Sequence, residues 1–108
     1  MSWSKSSELF DAIVSHSTYS ERKGKKMIYC SSNGYMYFIL TKDGEIGFRL
    51  NKADQKEFGE AYGFEPLISY GATMKDYVKI PENLYTEVEL LAKWLDRSHV
   101  YVNTLTSK

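Results

Sequence analysis

The chain is 108 residues long, 43% hydrophobic and 26% charged, which fits one globular domain with its own core and excludes a disordered segment. Lys plus Arg and Asp plus Glu stand at 14 each, so no global field draws the chain onto nucleic acid or an anionic membrane. No run approaches the ~20 apolar residues of a membrane span, the polar start Met1-Ser2-Trp3-Ser4-Lys5 lacks a signal-peptide core, and Cys30 has no second cysteine to pair with, all of which point to the cytosol.

In chain order, Leu9, Phe10, Ile13 and Val14 recur at helical spacing and predict a helix over 7–15, with Glu8 and Asp11 in its early turns. Residues 16–26 are polar and read as an exposed loop. Three strands follow, over 27–31, 35–41 and 45–50, joined by Asn33-Gly34 and Asp43-Gly44. Both dipeptides tolerate the positive φ of tight hairpin turns, so an antiparallel meander is expected. In the second strand Tyr35, Tyr37 and Ile39 alternate with Met36, Phe38 and Leu40. Both faces are then apolar, which predicts the central, doubly covered strand. In the third, Ile46, Phe48 and Leu50 alternate with Glu45, Gly47 and Arg49, predicting one buried face.

A short helix is expected over 52–62, with Asn51 as N-cap, Gly63 after its last turn, and Phe64 folding back on Phe58. Residues 67–70 and 76–80 read as two more strands linked by Gly71-Ala72-Thr73 and closed by Pro81. The last helix, from Thr86 to about Val102, carries a Thr86-x-x-Glu89 capping box and a Tyr85–Leu90 staple. Leu84, Val88, Leu91, Leu95 and Val102 form its buried stripe, and Glu89 with Lys93 its wet side. The sum is an α+β fold: an antiparallel sheet of about five strands with an N-terminal, a short middle and a long C-terminal helix packed on it.

No catalytic constellation emerges. Cys30 is the sole thiol, neither His16 nor His99 sits in a recognisable signature beside it, and a small half-buried strand residue is its ordinary role. The two histidines are far apart and no Cys pair or His-x-x-x-His occurs, so neither metal nor cofactor is expected. Gly44-x-x-Gly47 lies in a hairpin rather than before a helix and is turn chemistry; Glu87, Glu89, Asp43 and Glu45 read as solvated carboxylates.

Two surfaces stand out. Arg22, Lys23, Lys25 and Lys26 surround Gly24, flanked by Tyr19 and Tyr29. They form either a grip for a phosphate backbone or a solvated loop whose lysines keep the first strand from edge pairing. The second is aromatic. Among nine tyrosines, Tyr35, Tyr37 and Tyr101, with the apolar tail 101–105, would form a partner or self-pairing surface unless covered within the chain.

The chain resembles the TfoX N-terminal-domain family from about Lys25 onward. Met74-Lys75-Asp76-Tyr77-Val78-Lys79-Ile80-Pro81 is similar to the family's Met-x-x-(Tyr/Trp)-Val-x-(Ile/Val)-Pro. Trp94-Leu95 followed by Tyr101-Val102 and Leu105 resembles its closing helix. Lys26-Met27-Ile28, the segment 33–38 and the segment 47–54 resemble its first strand, second strand and strand-to-helix step. Met27-Ile28-Tyr29-Cys30 departs from the family's Met-Phe-Gly-Gly, and the second domain of full-length competence regulators has no counterpart in this sequence. The resemblance implies helices on an antiparallel sheet, no cofactor and no catalytic residues. It also implies a link to regulation of transcription or competence through another protein. The expected function is a regulatory or protein-interaction module, a homodimer being one form of it, without specific nucleic-acid binding by this domain alone. The alternative is a small-ligand or enzyme-like protein with an aromatic pocket between sheet and helices.

Overall fold

The computed structural model describes residues 3–107. Helix α1 (Trp3–His16) leads into strands β1 (Ile28–Ser32), β2 (Tyr35–Leu40) and β3 (Ile46–Arg49). Helix α2 (Lys52–Tyr62), strands β4 (Pro66–Ser69) and β5 (Ala72–Lys79), a 3₁₀ turn (Glu82–Leu84) and helix α3 (Val88–Val102) follow. The strands form one antiparallel sheet in the order β1-β2-β3-β5-β4, with α1, α2 and α3 on it, the expected α+β arrangement. The middle strand is β3 rather than β2, because the chain leaves the meander through α2 and β5 returns to pair with β3 before β4 adds at the edge.

One bulge rearranges the faces read from alternation. Cys30 pairs with Phe38 but Ser31 with Met36, which leaves Tyr37 as an extra residue in β2. Tyr37 therefore joins Phe38 and Leu40 in the helix-side core, while Ile39 and Met36 fall on the other face with Leu67 and Tyr77. Strand β3 is buried on both sides. Ile46 and Phe48 face the helices, and Gly47 lies so close to β5 and β4 that a Cβ there would sit 2.7 Å from the Val78 carbonyl oxygen and 2.8 Å from Leu67 Cδ2.

The helix-side core is a run of rings. Phe10 stacks on Phe38 at 4.2 Å, Phe38 on Phe48 at 6.1 Å, Phe48 meets Phe58 edge-on at 5.7 Å, and Phe58 meets Trp94 edge-on at 5.2 Å. It runs from α1 through β2 and β3 to α2 and α3. Ser98, buried on α3, lies 2.5 Å from the Arg49 carbonyl and 3.2 Å from the Tyr37 carbonyl. Its one hydroxyl proton bridges β3 and β2 where their pairing ends.

Local signals act as expected at several points. Asn51 Oδ1 accepts the Asp54 N–H at 2.7 Å, and Gly63 at φ 88° donates to Gly59 to end α2. Asn33 and Gly34, at φ 56° and 82°, make the first hairpin turn. The Asn33 amide also donates to the Val102 and Leu105 carbonyls at 2.9 Å each, so one turn residue ties down the end of α3.

Three further expectations fail. Phe64 remains exposed over Gly59, and Phe58 turns inward alone. Tyr70 and Gly71, at φ 52° and 78°, form the β4–β5 turn, where the sequence had placed Tyr70 in a strand. The Thr86 capping box does not form. The 3₁₀ turn propagates so that Glu87 N–H bonds Leu84, the first helical bond runs from Leu91 to Glu87, and Glu87 takes the cap position without a side-chain bond. Three residues beyond Glu87 stands Leu90, which has no acceptor to complete a box.

Candidate functional site

The basic loop is largely spoken for. Arg22 holds both carboxylate oxygens of Asp11, at 2.7 and 3.0 Å. Lys23 makes a two-bond backbone bridge with Tyr29, at 2.7 and 3.1 Å, along the outer edge of β1, and its ammonium reaches Ser31 Oγ at 3.0 Å. Gly24 permits the turn: its φ is 86°, and a Cβ there would collide with the Met27 carbonyl oxygen at 1.8 Å. Lys25 and Lys26 are exposed. The loop closes the β1 edge against pairing with other chains.

Of the tyrosines singled out from the sequence, Tyr37 belongs to no surface. It is 1% exposed because the bulge turns it under α3. There its hydroxyl meets Ser20 Oγ at 2.8 Å and its ring edge meets His99. Burial pushes its pKa up to about 12. Cys30 is wholly buried and its thiol is likewise pushed up to about 12, chiefly by desolvation, so it has the character of a small core hydrophobe.

Tyr35 and Tyr101 come together around a residue that the alternation of β3 had assigned to solvent. The Arg49 guanidinium lies 5.3 Å from the Tyr35 ring centre and 5.8 Å from that of Tyr101. Tyr35 donates to the Thr106 carbonyl at 2.6 Å, fixing its ring. Arg49 also faces a surface depression of about 340 Å³ shared with Met36, Met74, Lys75 and Tyr77. The Tyr77 hydroxyl donates across the sheet to the Met36 carbonyl at 2.7 Å, and burial raises its pKa. The sequence signal for this corner was slight: one arginine in a strand whose neighbours are Gly47, Phe48 and Leu50.

A larger groove of about 490 Å³ runs between the turn at Thr18–Tyr19, the start of α2 and the second half of α3. The Asp96 carboxylate accepts the Thr18 backbone N–H at 2.8 Å and its hydroxyl at 2.9 Å, docking the turn on α3. Tyr19 then stacks on His99 at 4.8 Å, yet stays 57% exposed, and Val100 opposite is 54% exposed. Arg97 lies over Trp94 at 4.4 Å and bonds Glu57 at 2.9 Å, with Asp54 at 3.7 Å. Asn51, Asp54, Tyr101 and Thr104 complete the lining. The sequence reading missed Asp96 and Val100, since only the docked turn brings them into one groove with Tyr19.

Among the described residues no cluster of three or more His, Cys, Asp or Glu stands close enough to hold a metal ion, and no helix is long and apolar enough to cross a membrane. No family model, no curated protein and no solved structure matches the chain.

Proposed function

We propose that this chain is a non-enzymatic cytosolic protein-interaction module whose α3 groove receives an apolar peptide segment carrying a lysine or arginine. The observation that carries the reading is the composition of the groove. Exposed Tyr19 and Val100 offer an apolar seat beside Asp54 and Asp96, while the one nearby guanidinium, Arg97, is shared between Glu57 and Asp54, one cation against three carboxylates. That leaves surplus negative charge next to apolar surface, which complements a basic, partly apolar segment. The similarity of the sequence motifs to TfoX N-terminal-like proteins supports a regulatory role, in transcription or competence, exercised through such a partner. Nucleic acid fits less well, since the groove is acidic and Arg22 and Lys23 are committed within the chain. A small ligand held between sheet and helices also finds less support, because the rings there pack against one another.

Selection from a random peptide display library tests the reading, using wild type and Val100→Asp, which is exposed and should fold normally. Enriched peptides should pair an apolar residue with a basic one and lose binding to Val100→Asp and to Asp54→Asn. Peptides without a basic residue, or indifferent to both substitutions, would overturn it. Sedimentation equilibrium separates the other occupant: a dimer that dissociates in Val100→Asp would assign the groove to a second copy of this chain.

A further inference from the structure

The depression at Arg49 shares no lining residue with the α3 groove, although the Tyr101 ring touches both, and it does not depend on that reading. Arg49 ends β3 where β2 diverges from it, with Ser98 bridging the two strands' carbonyls. Its guanidinium is held by the rings of Tyr35 and Tyr101, and no carboxylate pairs with it among the described residues. The nearest acidic group along the chain's return is Asp76, and its Oδ1 accepts from Lys52 at 2.9 Å and from Gln55 at 3.1 Å. Lys75, the other charged residue of the depression, is also cationic. Arg49 Nε is shielded from solvent and has no protein acceptor. A guanidinium carries five donors in a planar fork suited to oxyanions, and a buried donor left without an acceptor is costly. Holding α3 against the sheet through ring contacts would ask only for a cation, which a lysine supplies without an unsatisfied Nε–H. The remaining lining, Met36, Met74 and Tyr77, is apolar or has its polar atom engaged, so the depression combines two cations, neither in a direct ion pair and Arg49 only within the longer-range field of Asp76, with an apolar floor.

We infer that the depression between β2 and β5 is a binding site for an oxyanion, a carboxylate or phosphate borne on an apolar body, received by Arg49 with Lys75 at its rim. Aromatic contacts fix the plane of the guanidinium, and its outer edge meets the anion as a fork, while Met36 and Met74 adapt to the attached group.

The side-chain N–H signals of Arg49, assigned by their loss in Arg49→Lys, provide the readout. Inorganic phosphate and benzoate are titrated separately against a sodium chloride control of equal ionic strength. A saturable shift with either probe, absent with chloride, is expected; phosphate alone would point to phosphate esters, benzoate alone to carboxylates on a ring. Followed in both proteins by the backbone amide signals of Met74 and Tyr77, which line the depression, Arg49→Lys should weaken binding by about tenfold, since a point charge replaces a planar fork. Arg97→Met, in the other groove, should leave it unchanged. If Arg49→Lys folds poorly, Lys75→Ala, at an exposed position, should fold and weaken binding several-fold. No saturable shift in wild type, or equal affinity for Arg49→Lys by the Met74 and Tyr77 amide signals, would overturn the inference and leave Arg49 as a clamp between Tyr35 and Tyr101.

Discussion

On one side of the sheet Phe10, Phe38, Phe48, Phe58 and Trp94 bury one another beneath three helices; on the other, Ile39, Leu67 and Tyr77 are packed, among the described residues, by side chains of the strands themselves. The first face is sealed by a separate layer whose rings interlock. The second is closed by long, adaptable residues, Met36 and Met74 among them, and by one hydroxyl reaching from β5 to β2. The two surfaces proposed for binding lie where the sealed layer stops: beside the second half of α3, and at Arg49, where that helix meets the self-covered face.

Substitutions on the two faces should separate these modes of closure. The largest effect belongs to the ring ladder: Phe58→Ala should cost about 3–5 kcal/mol in urea titration, because Phe58 contacts Phe48 and Trp94 and is wholly buried. A cost below about 1 kcal/mol would mean that the helices do not seal that face. Gly47→Ala on the opposite face should cost about 1–3 kcal/mol, since its Cβ must displace the backbone of Val78 as well as Leu67. Tyr77→Phe should cost about 0.5–1.5 kcal/mol and loosen amide exchange around Met36, which loses its hydroxyl donor.

Alkaline titration adds a probe of the sealed side. The folded pKa of Cys30, about 12, lies above the ~8.5 of an exposed thiol. The folded state therefore holds this proton more tightly. That contribution is fully present below about pH 8.5 and is lost as pH rises toward 12. Cys30→Ala should flatten the part of the alkaline decline that starts before tyrosines titrate near ~10. An unchanged profile would place the thiol in contact with water. The smallest effect is expected at Thr86→Ala, within about 0.5 kcal/mol, because its hydroxyl contacts only Glu87 and caps nothing.

Elements whose signals are local were legible in the sequence. Asn51 and Gly63 bound α2 at both ends, and Asn33-Gly34 fixed the first hairpin, since each of those residues acts on its own neighbours. What escaped the sequence depends on pairing. The bulge at Tyr37 is invisible where both strand faces are apolar, and without it Tyr37 reads as a surface tyrosine. The capping box at Thr86 had the right residues, but the preceding turn shifted the helix start past it. Neither candidate site could be assembled from spacing. Arg49, Tyr35 and Tyr101 come from three elements, and the groove needs Asp96 to recruit Thr18 from far along the chain.

Helix α3 follows all five strands in the chain, and its buried residues Leu91, Trp94 and Leu95 belong to the core that covers Phe38 and Phe48. During synthesis the hairpin β1–β2 therefore leaves the ribosome before its cover exists. Asn33 must likewise wait for the carbonyls of Val102 and Leu105. Until then the nascent chain carries bare phenyl rings on an uncovered sheet face, the state in which chains stick to one another and to chaperones. Completion of the fold is thus tied to release of the last helix, and a message cut short before it would yield a species prone to aggregate.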